Sequence, residues 1–253
     1  MKSRQYYLNY QAELAGSPPA RRAERLGFQK LATLIDRFAP RAESCILDVG
    51  CGGGFLAHFL DLRSHTLFGL ELNPELATVA SRQYRGVVVA DLEDPWPLVS
   101  ERVDVVVARA VLEHVFDYHD VLNEANRVLT PGGLLLVEVP NLGYWREVRK
   151  LLLGKQPHWT RAMEHLHAWT ERFLRALLQA HGFRCVWVEC DRLGLPFFRQ
   201  RPWPWLERVC ARWGNTLIFA GRKDEHTRVV EAQLARMYRK TRPLSSRWVE
   251  VLE

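Results

Sequence analysis

Short apolar runs alternate with helix-like segments between Cys45 and Pro140. Five of these runs have the length and the continuous apolar character of strands that are buried on both faces. They are residues 45–49, 66–71, 86–89, 103–108 and 134–137. Segments with apolar side chains at helical spacing separate these runs. The pattern therefore predicts a parallel sheet that is covered by helices on both faces.

The elements continue, less regularly, on both sides of this region. Residues 28–38 carry apolar side chains at helical spacing and predict an N-terminal helix, which Pro40 ends. Further elements are predicted as helices over 142–154 and 170–182, and as strands over 183–189 and 216–219. Together, these elements predict an α/β fold with a doubly wound, Rossmann-like, mostly parallel seven-stranded sheet. Ligands of such sheets bind beyond the carboxyl ends of the strands.

The chain is expected to have three regions. They are a helical lid over 1–40, an α/β domain over 41–222 with a Trp-, Arg- and Pro-rich insertion at 193–215, and a helical tail over 223–253. Tyr6, Tyr7 and Tyr10 in the lid either cover a ligand or pack against the sheet. The segment 196–213 covers a pocket or contacts a partner, which is the favoured reading. The alternatives are a peripheral contact with a membrane surface and a plain surface insertion.

Composition excludes several classes of protein. With 253 residues, of which 47% are hydrophobic, the chain can bury a core without disulfides or metals. The net charge of +6 is spread along the chain until about residue 192, so no nucleic-acid partner is predicted. No apolar run approaches the ~20 residues of a membrane span, and the N-terminus lacks the apolar core of a signal peptide. Five cysteines without a Cys-x-x-Cys pair indicate reduced thiols and a cytoplasmic protein.

A glycine-rich turn follows the first predicted strand, in the sequence Ile-Leu-Asp-Val-Gly-Cys-Gly-Gly-Gly at 46–54. Glycines allow the backbone to approach a ligand closely, and the following helix presents its N-terminus. The last glycine of a dinucleotide motif would fall at position 55, where the chain has Phe55. Asp48 precedes the glycines, and its carboxylate would repel a pyrophosphate but can pair with an ammonium group.

Two further carboxylates end the next two predicted strands. Glu71 ends the second strand, at about the spacing at which an acidic residue binds ribose hydroxyls. Asp91 ends the third strand, within reach of an adenine amino group if the base lies along the sheet edge. Asp48, Glu71 and Asp91 are therefore placed for a ligand that carries an ammonium group and an adenosine.

Other motifs follow in order along the chain. They are Ala-Asp-Leu at 90–92, Val-Leu-Glu-His-Val at 111–115, Arg-Val-Leu-Thr-Pro-Gly-Gly at 127–133, and the stretches 164–170 and 177–183. With the glycine turn and Glu71, they resemble the class I S-adenosylmethionine-dependent methyltransferases over about residues 40–190. The resemblance is nearest to the small-molecule branch that includes the ubiquinone-biosynthesis O-methyltransferases. Residues 140–146 also resemble the methionine-biosynthesis MetW proteins.

The resemblance implies S-adenosylmethionine as cofactor and S-adenosylhomocysteine as product. It assigns Asp48, Gly50, Cys51 and Gly52 to the methionine end, Glu71 and Leu72 to the ribose and adenosine, Asp91 and Leu92 to the adenine, and Ala108 and Arg109 to the border of the sulfonium. Arg109 stands where relatives often have a small or acidic residue. A cation is unfavourable beside a sulfonium, so we expect its side chain to point outward or to bind an acidic acceptor.

His114 is the candidate catalytic residue. It follows the fourth strand, and its titration range suits the removal of a proton from a hydroxyl. The alternative is a histidine that orders the loop with Glu113 as its partner. A catalytic base is not obligatory, because methyl transfer can proceed by alignment and desolvation alone. No metal site is expected, since the spacing of His158, Glu164, His165 and His167 fits no ligand pair on one helix face. His165 is instead expected to line the acceptor pocket.

The sequence thus predicts an enzyme that moves a methyl group from S-adenosylmethionine to a small-molecule acceptor, with a hydroxyl oxygen as the first choice. The alternative is a non-catalytic S-adenosylmethionine-binding partner or regulatory module of another biosynthetic enzyme. Turnover distinguishes the two, because a binding module forms no S-adenosylhomocysteine. The 223–253 tail is as compatible with a homodimer contact as with packing on its own domain.

Overall fold

The computed structural model describes residues 18–157, 165–194 and 204–224. The strands are β1 Ser44–Val49, β2 His65–Glu71, β3 Gly86–Val89, β4 Val103–Arg109, β5 Leu129–Pro140, β6 Phe183–Cys190 and β7 Thr216–Lys223. The α-helices are α1 Pro18–Phe38, α2 Pro74–Ala80, α3 Tyr118–Val128, α4 Trp145–Leu152, α5 Glu171–Ala180 and α6 Pro204–Val209. Short 3-10 helices cover Phe55–Phe59 and Ala211–Trp213.

The strands form one seven-stranded sheet in the order β3-β2-β1-β4-β5-β7-β6. Strands β1 to β5 pair in parallel, whereas β7 runs antiparallel to both β5 and β6. The predicted doubly wound, mostly parallel sheet is confirmed. The strand order reverses between β1 and β4, where Val49 lies opposite Ala108. A ligand crevice is expected outside the carboxyl ends of these two strands.

Apolar side chains form a separate core on each face of the sheet. Consecutive residues of β1 enter opposite cores, with Leu47 on one side and Ile46 on the other. The first core includes Leu122 of α3 and Leu174 of α5, and the second includes Ile35 of α1. Helices therefore cover both faces, as the continuous apolar character of the strands predicted.

Local signals in the sequence account for the helix boundaries. The Asn73 side chain accepts hydrogen bonds from the backbone of α2, and Pro74 occupies the first helical position. Thr170 caps α5 by accepting from the Phe173 backbone at 3.3 Å. Several elements differ from prediction. The helix predicted after the glycine turn is the short 3-10 helix Phe55–Phe59, and β7 continues to Lys223. In addition, β5 begins at Leu129, directly after α3, and not at residue 134. An irregularity in the pairing with β4 after Val103 lets the strand continue through the Pro-Gly-Gly sequence.

Several predicted features lie outside the described residues. These are Tyr6, Tyr7, Tyr10, His158, Glu164, the stretch 196–203 and the tail from residue 225. The described part of the 196–213 segment packs on β6, where Cys190 Sγ lies 3.3 Å from the backbone oxygen of Glu207. Trp205 and Val209 of α6 remain exposed. None of the described helices has the length and apolar content needed to cross a membrane.

Candidate active site

The glycine turn after β1 lies at the carboxyl ends of the parallel strands, beside the point where the strand order reverses between β1 and β4. The backbone nitrogens of Gly50 and Cys51 donate to the Leu70 carbonyl at 2.8 and 3.1 Å, which ties the turn to β2. Gly50 has a φ of +66°, and a Cβ there would lie 2.8 Å from the Val111 side chain. Gly52 has a φ of +53°, and a Cβ there would have no heavy atom of the described residues within 4 Å. The turn therefore requires glycine at 50 and is open to a ligand at 52.

Glu71 organises this turn from the end of β2. One carboxylate oxygen accepts from the Gly52 backbone at 2.8 Å, and the other accepts from the Asn73 backbone at 2.8 Å. Burial raises the pKa of Glu71, and these backbone donors oppose the rise. Each carboxylate oxygen has two lone pairs, so ribose hydroxyls can donate to Glu71 while it holds the turn.

Asp48 has a partner that the sequence did not reveal. The Tyr84 hydroxyl donates to Asp48 Oδ2 at 2.6 Å, and both side chains are buried. Burial raises the pKa of Asp48 to about 7, although Tyr84 and the charge of Arg109 favour the ionised form. Asp48 therefore changes its charge near neutral pH. Tyr84 follows α2 in the sequence without any motif, so nothing in the pattern marked it as a partner of Asp48.

The remaining predicted cofactor residues lie along the same edge of the sheet. Asp91 is exposed just after β3, where its carboxylate accepts from the Glu93 backbone at 3.1 Å. Leu92 is 9% exposed, Leu72 is half-buried, and Ala108 is buried at the end of β4. Asp48 is the last residue but one of β1, Glu71 ends β2, and Asp91 lies two residues beyond β3, so the three carboxylates lie at the carboxyl ends of three adjacent strands.

Arg109 ends β4, and its side chain is only 19% exposed. Its Nε lies 2.9 Å from Glu138 Oε2 in the adjacent strand β5. The guanidinium carbon also lies 4.2 Å from the centroid of the Phe28 ring in α1. The expectation that Arg109 points outward is therefore wrong, and its counter-ion is a carboxylate of this chain. The register of β4 and β5 places Arg109 directly opposite Glu138. No local sequence pattern predicted this pairing.

Two distant segments meet beyond β4 and bring two histidines together. The backbone nitrogen of Leu166 donates to the Glu113 carbonyl at 2.7 Å, and a ring nitrogen of His167 lies 3.0 Å from the Val115 carbonyl. The rings of His114 and His165 consequently lie 5.0 Å apart between centroids, at 62°. His114 is half-buried.

Glu113 lies beside these two rings and is 1% exposed. Burial, together with the negative charge of Glu138, raises its pKa to about 8. Within the part of the chain that the structure describes, its Oε2 has no hydrogen-bond donor. One ligand atom each from Glu113, His114 and His165 lie within 4.8 Å of one another, a donor set that suits a divalent cation.

His165 has neighbours that the sequence did not indicate. His167 faces the Tyr118 ring at 4.8 Å and the carbonyl of Val115, so it serves the packing of this loop. His165 instead joins Glu113 and His114, which lie about 50 residues earlier. Only the contact between the two segments, which depends on the fold, creates this cluster.

Comparison with known proteins gives a consistent result. A family model described as a methyltransferase domain matches residues 22–188. The ubiquinone biosynthesis O-methyltransferases of Pseudomonas syringae pv. tomato and Chromobacterium violaceum are each 34% identical over 116 residues, which are 42% of this chain and 49% of the relative. The chain thus spans about half the length of these curated relatives.

Solved structures share the fold at low sequence identity. A SAM-dependent methyltransferase from Archaeoglobus fulgidus matches with a TM-score of 0.60 at 16% identity, covering 86% of this chain and 100% of that one. A SAM-dependent methyltransferase from Thermotoga maritima matches with a TM-score of 0.58 at 16% identity, covering 87% and 97% respectively. At these identities the likeness concerns the arrangement of the sheet and its helices.

Proposed function

Since the chain belongs to the family of methyltransferase domains, we propose that it is an S-adenosylmethionine-dependent methyltransferase that methylates a hydroxyl oxygen of a small molecule. The observation that carries this proposal is the cluster of Glu113, His114 and His165 beyond β4. It provides imidazole rings, which accept protons near neutral pH, where an acceptor bound beside the cofactor would lie. The names of the ubiquinone-biosynthesis relatives support oxygen as the methylated atom.

The cofactor is proposed to lie along the carboxyl ends of β1, β2 and β3. Asp48 would pair with the ammonium of the methionine part, Glu71 would bind the ribose hydroxyls, and Asp91 would accept from the adenine amino group. Gly50, Cys51 and Gly52 would contact the methionine part through the turn. With these ends fixed, the sulfonium would lie near Ala108, in the crevice between β1 and β4.

The reaction then requires alignment and the removal of one proton. The acceptor oxygen attacks the methyl carbon while the bond from that carbon to sulfur breaks, leaving the neutral thioether S-adenosylhomocysteine. We propose that His114 receives the hydroxyl proton, so the oxygen attacks with a full electron pair. Buried apolar residues such as Val111 and Leu112 next to His114 would keep water from competing as an acceptor.

A panel of acceptors tests the proposal directly. Purified protein is incubated with S-adenosylmethionine and phenols, catechols or primary amines, and the formation of S-adenosylhomocysteine is measured by mass spectrometry. Turnover is expected with a hydroxyl acceptor and not with the amines. Turnover with amines alone would overturn the proposal of oxygen methylation while leaving the cofactor site in place.

Asp91 offers a clean test of the adenine contact because its side chain is exposed. Asp91→Ala should weaken the binding of S-adenosylhomocysteine about tenfold, since one hydrogen bond to a charged acceptor is lost. Isothermal titration calorimetry measures the change. Asp94→Ala is the matched control, because Asp94 is also exposed and lies three residues away. Equal affinity of the two variants for S-adenosylhomocysteine would show that Asp91 does not contact the adenine.

Metal removal distinguishes two uses of the Glu113, His114 and His165 cluster. If His114 is the base, methyl transfer should be unchanged after dialysis against EDTA. A loss of activity that Mg²⁺, Mn²⁺ or Zn²⁺ restores would show that the cluster holds a cation and that His114 is a ligand. The measurement is the initial rate at saturating cofactor, with and without each added ion.

Other expectations about this protein stay predictions. These are the domain divisions, the cytoplasmic location, a homodimer contact through the tail and the role of 196–213 as pocket cover, partner contact or membrane contact. Within 196–213, Trp205, Val209 and Trp213 are the large exposed apolar residues that the structure describes. They are the positions at which a spin label or a polar substitution would report such a contact.

A further inference from the structure

Helix α1 approaches the active site at two consecutive residues, Gly27 and Phe28. A Cβ on Gly27 would lie 2.7 Å from Glu138 Oε2, so the helix backbone packs directly against that carboxylate. The Phe28 ring lies against the guanidinium of Arg109, with 4.2 Å between the guanidinium carbon and the ring centroid. The helix therefore rests on the ion pair between Arg109 and Glu138.

The same Phe28 ring also contacts the segment that follows the glycine turn. It is stacked on Phe59, with 5.6 Å between centroids and an interplanar angle of 13°. It also lies 6.4 Å from the ring of Phe55. Phe55 in turn lies close to Gly53 of the turn, because a Cβ on Gly53 would be 3.5 Å from the Phe55 ring. The Phe28 side chain thus connects the end of β4 to the segment that follows the glycine turn.

Arg109 is suited to this contact by its shape as well as by its charge. A guanidinium can donate to a carboxylate in its own plane while its face lies on an aromatic ring, whereas the ammonium of lysine is a compact point charge. The pair is largely shielded from water, with the Arg109 side chain 19% and the Glu138 side chain 7% exposed. Screening by solvent is therefore weak, and the contact is worth more than a surface ion pair.

From this geometry we infer that Arg109 is a positioning residue for the cofactor, which it holds in place through Phe28 and the turn without touching it. Arg109 and Glu138 fix Phe28, and Phe28 fixes the 3-10 helix whose first residue borders the glycine turn. The inference rests on the cofactor placement proposed above. It replaces the expectation that Arg109 binds an acidic acceptor, because Glu138 already neutralises its charge.

The test measures the dissociation constant of S-adenosylhomocysteine by calorimetry at pH 8. Arg109→Met is expected to weaken binding about tenfold, and Arg109→Lys about threefold, because lysine retains the ion pair but not the flat stacking. Phe28→Leu should cause a loss similar to that of Arg109→Met. The double variant should bind no more weakly than the worse single variant, since both substitutions break one shared contact.

Two outcomes would overturn the inference. One is a wild-type dissociation constant in Arg109→Met, and the other is a double variant whose loss equals the product of the two single losses. Steady-state kinetics of Arg109→Met provide a further readout. The KM for S-adenosylmethionine should rise while the KM for the acceptor stays unchanged, whereas a general structural defect would change both. A rise in the acceptor KM alone would instead indicate that Arg109 binds the acceptor.

Arg175→Met is the matched control for a general effect on stability. Arg175 also pairs with a carboxylate, Glu171, at 2.7 Å, and its guanidinium lies 5.7 Å from the Phe219 ring centroid. The ion pair lies within α5 and the ring contact joins α5 to β7, away from the glycine turn. This control should bind S-adenosylhomocysteine as the wild type does. If the wild type itself binds none, the proposed cofactor placement fails. If the wild type and the control bind while Arg109→Met is unaffected, only the inference about Arg109 fails.

Discussion

Replacing His114 with asparagine is expected to lower kcat for a phenolic acceptor about 10²–10⁴-fold, the range typical for loss of a general base. The substitution removes the imidazole that accepts the hydroxyl proton but leaves the three carboxylates along β1, β2 and β3 in place. The affinity for S-adenosylhomocysteine should therefore match that of the wild type. Single-turnover rates and calorimetry on the same preparations measure the two quantities.

An acceptor that needs no base provides the decisive control for His114. A nitro-substituted phenol is already ionised at pH 8, so its oxygen can attack without losing a proton first. With this acceptor the deficit of His114→Asn should shrink to a few-fold. A deficit of equal size with both acceptors would show that His114 aligns the substrate and accepts no proton. His58→Asn, at an exposed histidine of the 3-10 helix Phe55–Phe59, should leave kcat unchanged with either acceptor.

The features that the sequence predicted well are those encoded within a single element and its end. Apolar runs predict the five parallel strands, and the positions of Asp48, Glu71 and Asp91 are predicted by where three of these runs end. Because adjacent parallel strands bring their carboxyl ends to one edge, the relative positions of these side chains needed no knowledge of the packing. The cap residues Asn73 and Thr170 are equally local.

The features that the sequence missed are contacts between residues that are far apart along the chain. Tyr84 reaches Asp48 across 36 positions, and Arg109 reaches Glu138 across 29 positions. The approach of His165 to His114 depends on a backbone hydrogen bond between Leu166 and Glu113. None of these pairs has a fixed spacing, because each depends on how two loops or two strands lie side by side. The chemistry was therefore visible as residue types before its partners were.

The binding of S-adenosylhomocysteine should strengthen about tenfold between pH 6 and pH 8, because the ammonium of the ligand requires the ionised form of Asp48. The pKa of Asp48 in the free protein is about 7, so at pH 6 about one molecule in ten has the carboxylate that the ligand needs. Binding below pH 7 must then release a proton. Calorimetry in two buffers with different ionisation enthalpies measures the number of protons released.

Two variants separate Asp48 from other titrating groups. Asp48→Asn should bind about thirtyfold more weakly at pH 8 and lose the dependence on pH, since a charged hydrogen bond is replaced by a neutral one. Tyr84→Phe removes the hydroxyl that favours the ionised carboxylate, so the pKa of Asp48 should rise and the midpoint of the binding curve should move to higher pH. An unchanged midpoint in Tyr84→Phe would assign the titration to another group.

The same titration has a consequence for stability that is opposite in sign. The pKa of Asp48 is raised in the folded protein, so the folded state binds more protons than the unfolded state between about pH 4 and pH 7. The contribution of Asp48 to the free energy of unfolding must then fall as pH rises through this window, while the affinity for the ligand increases.

Denaturant unfolding of the wild type and of Asp48→Asn at pH 5 and pH 8 measures this contribution. A stability difference between the two proteins that does not change with pH would contradict the raised pKa. The buried carboxylate thus costs stability in the ligand-free protein at neutral pH, and the cofactor's ammonium offsets that cost when it binds.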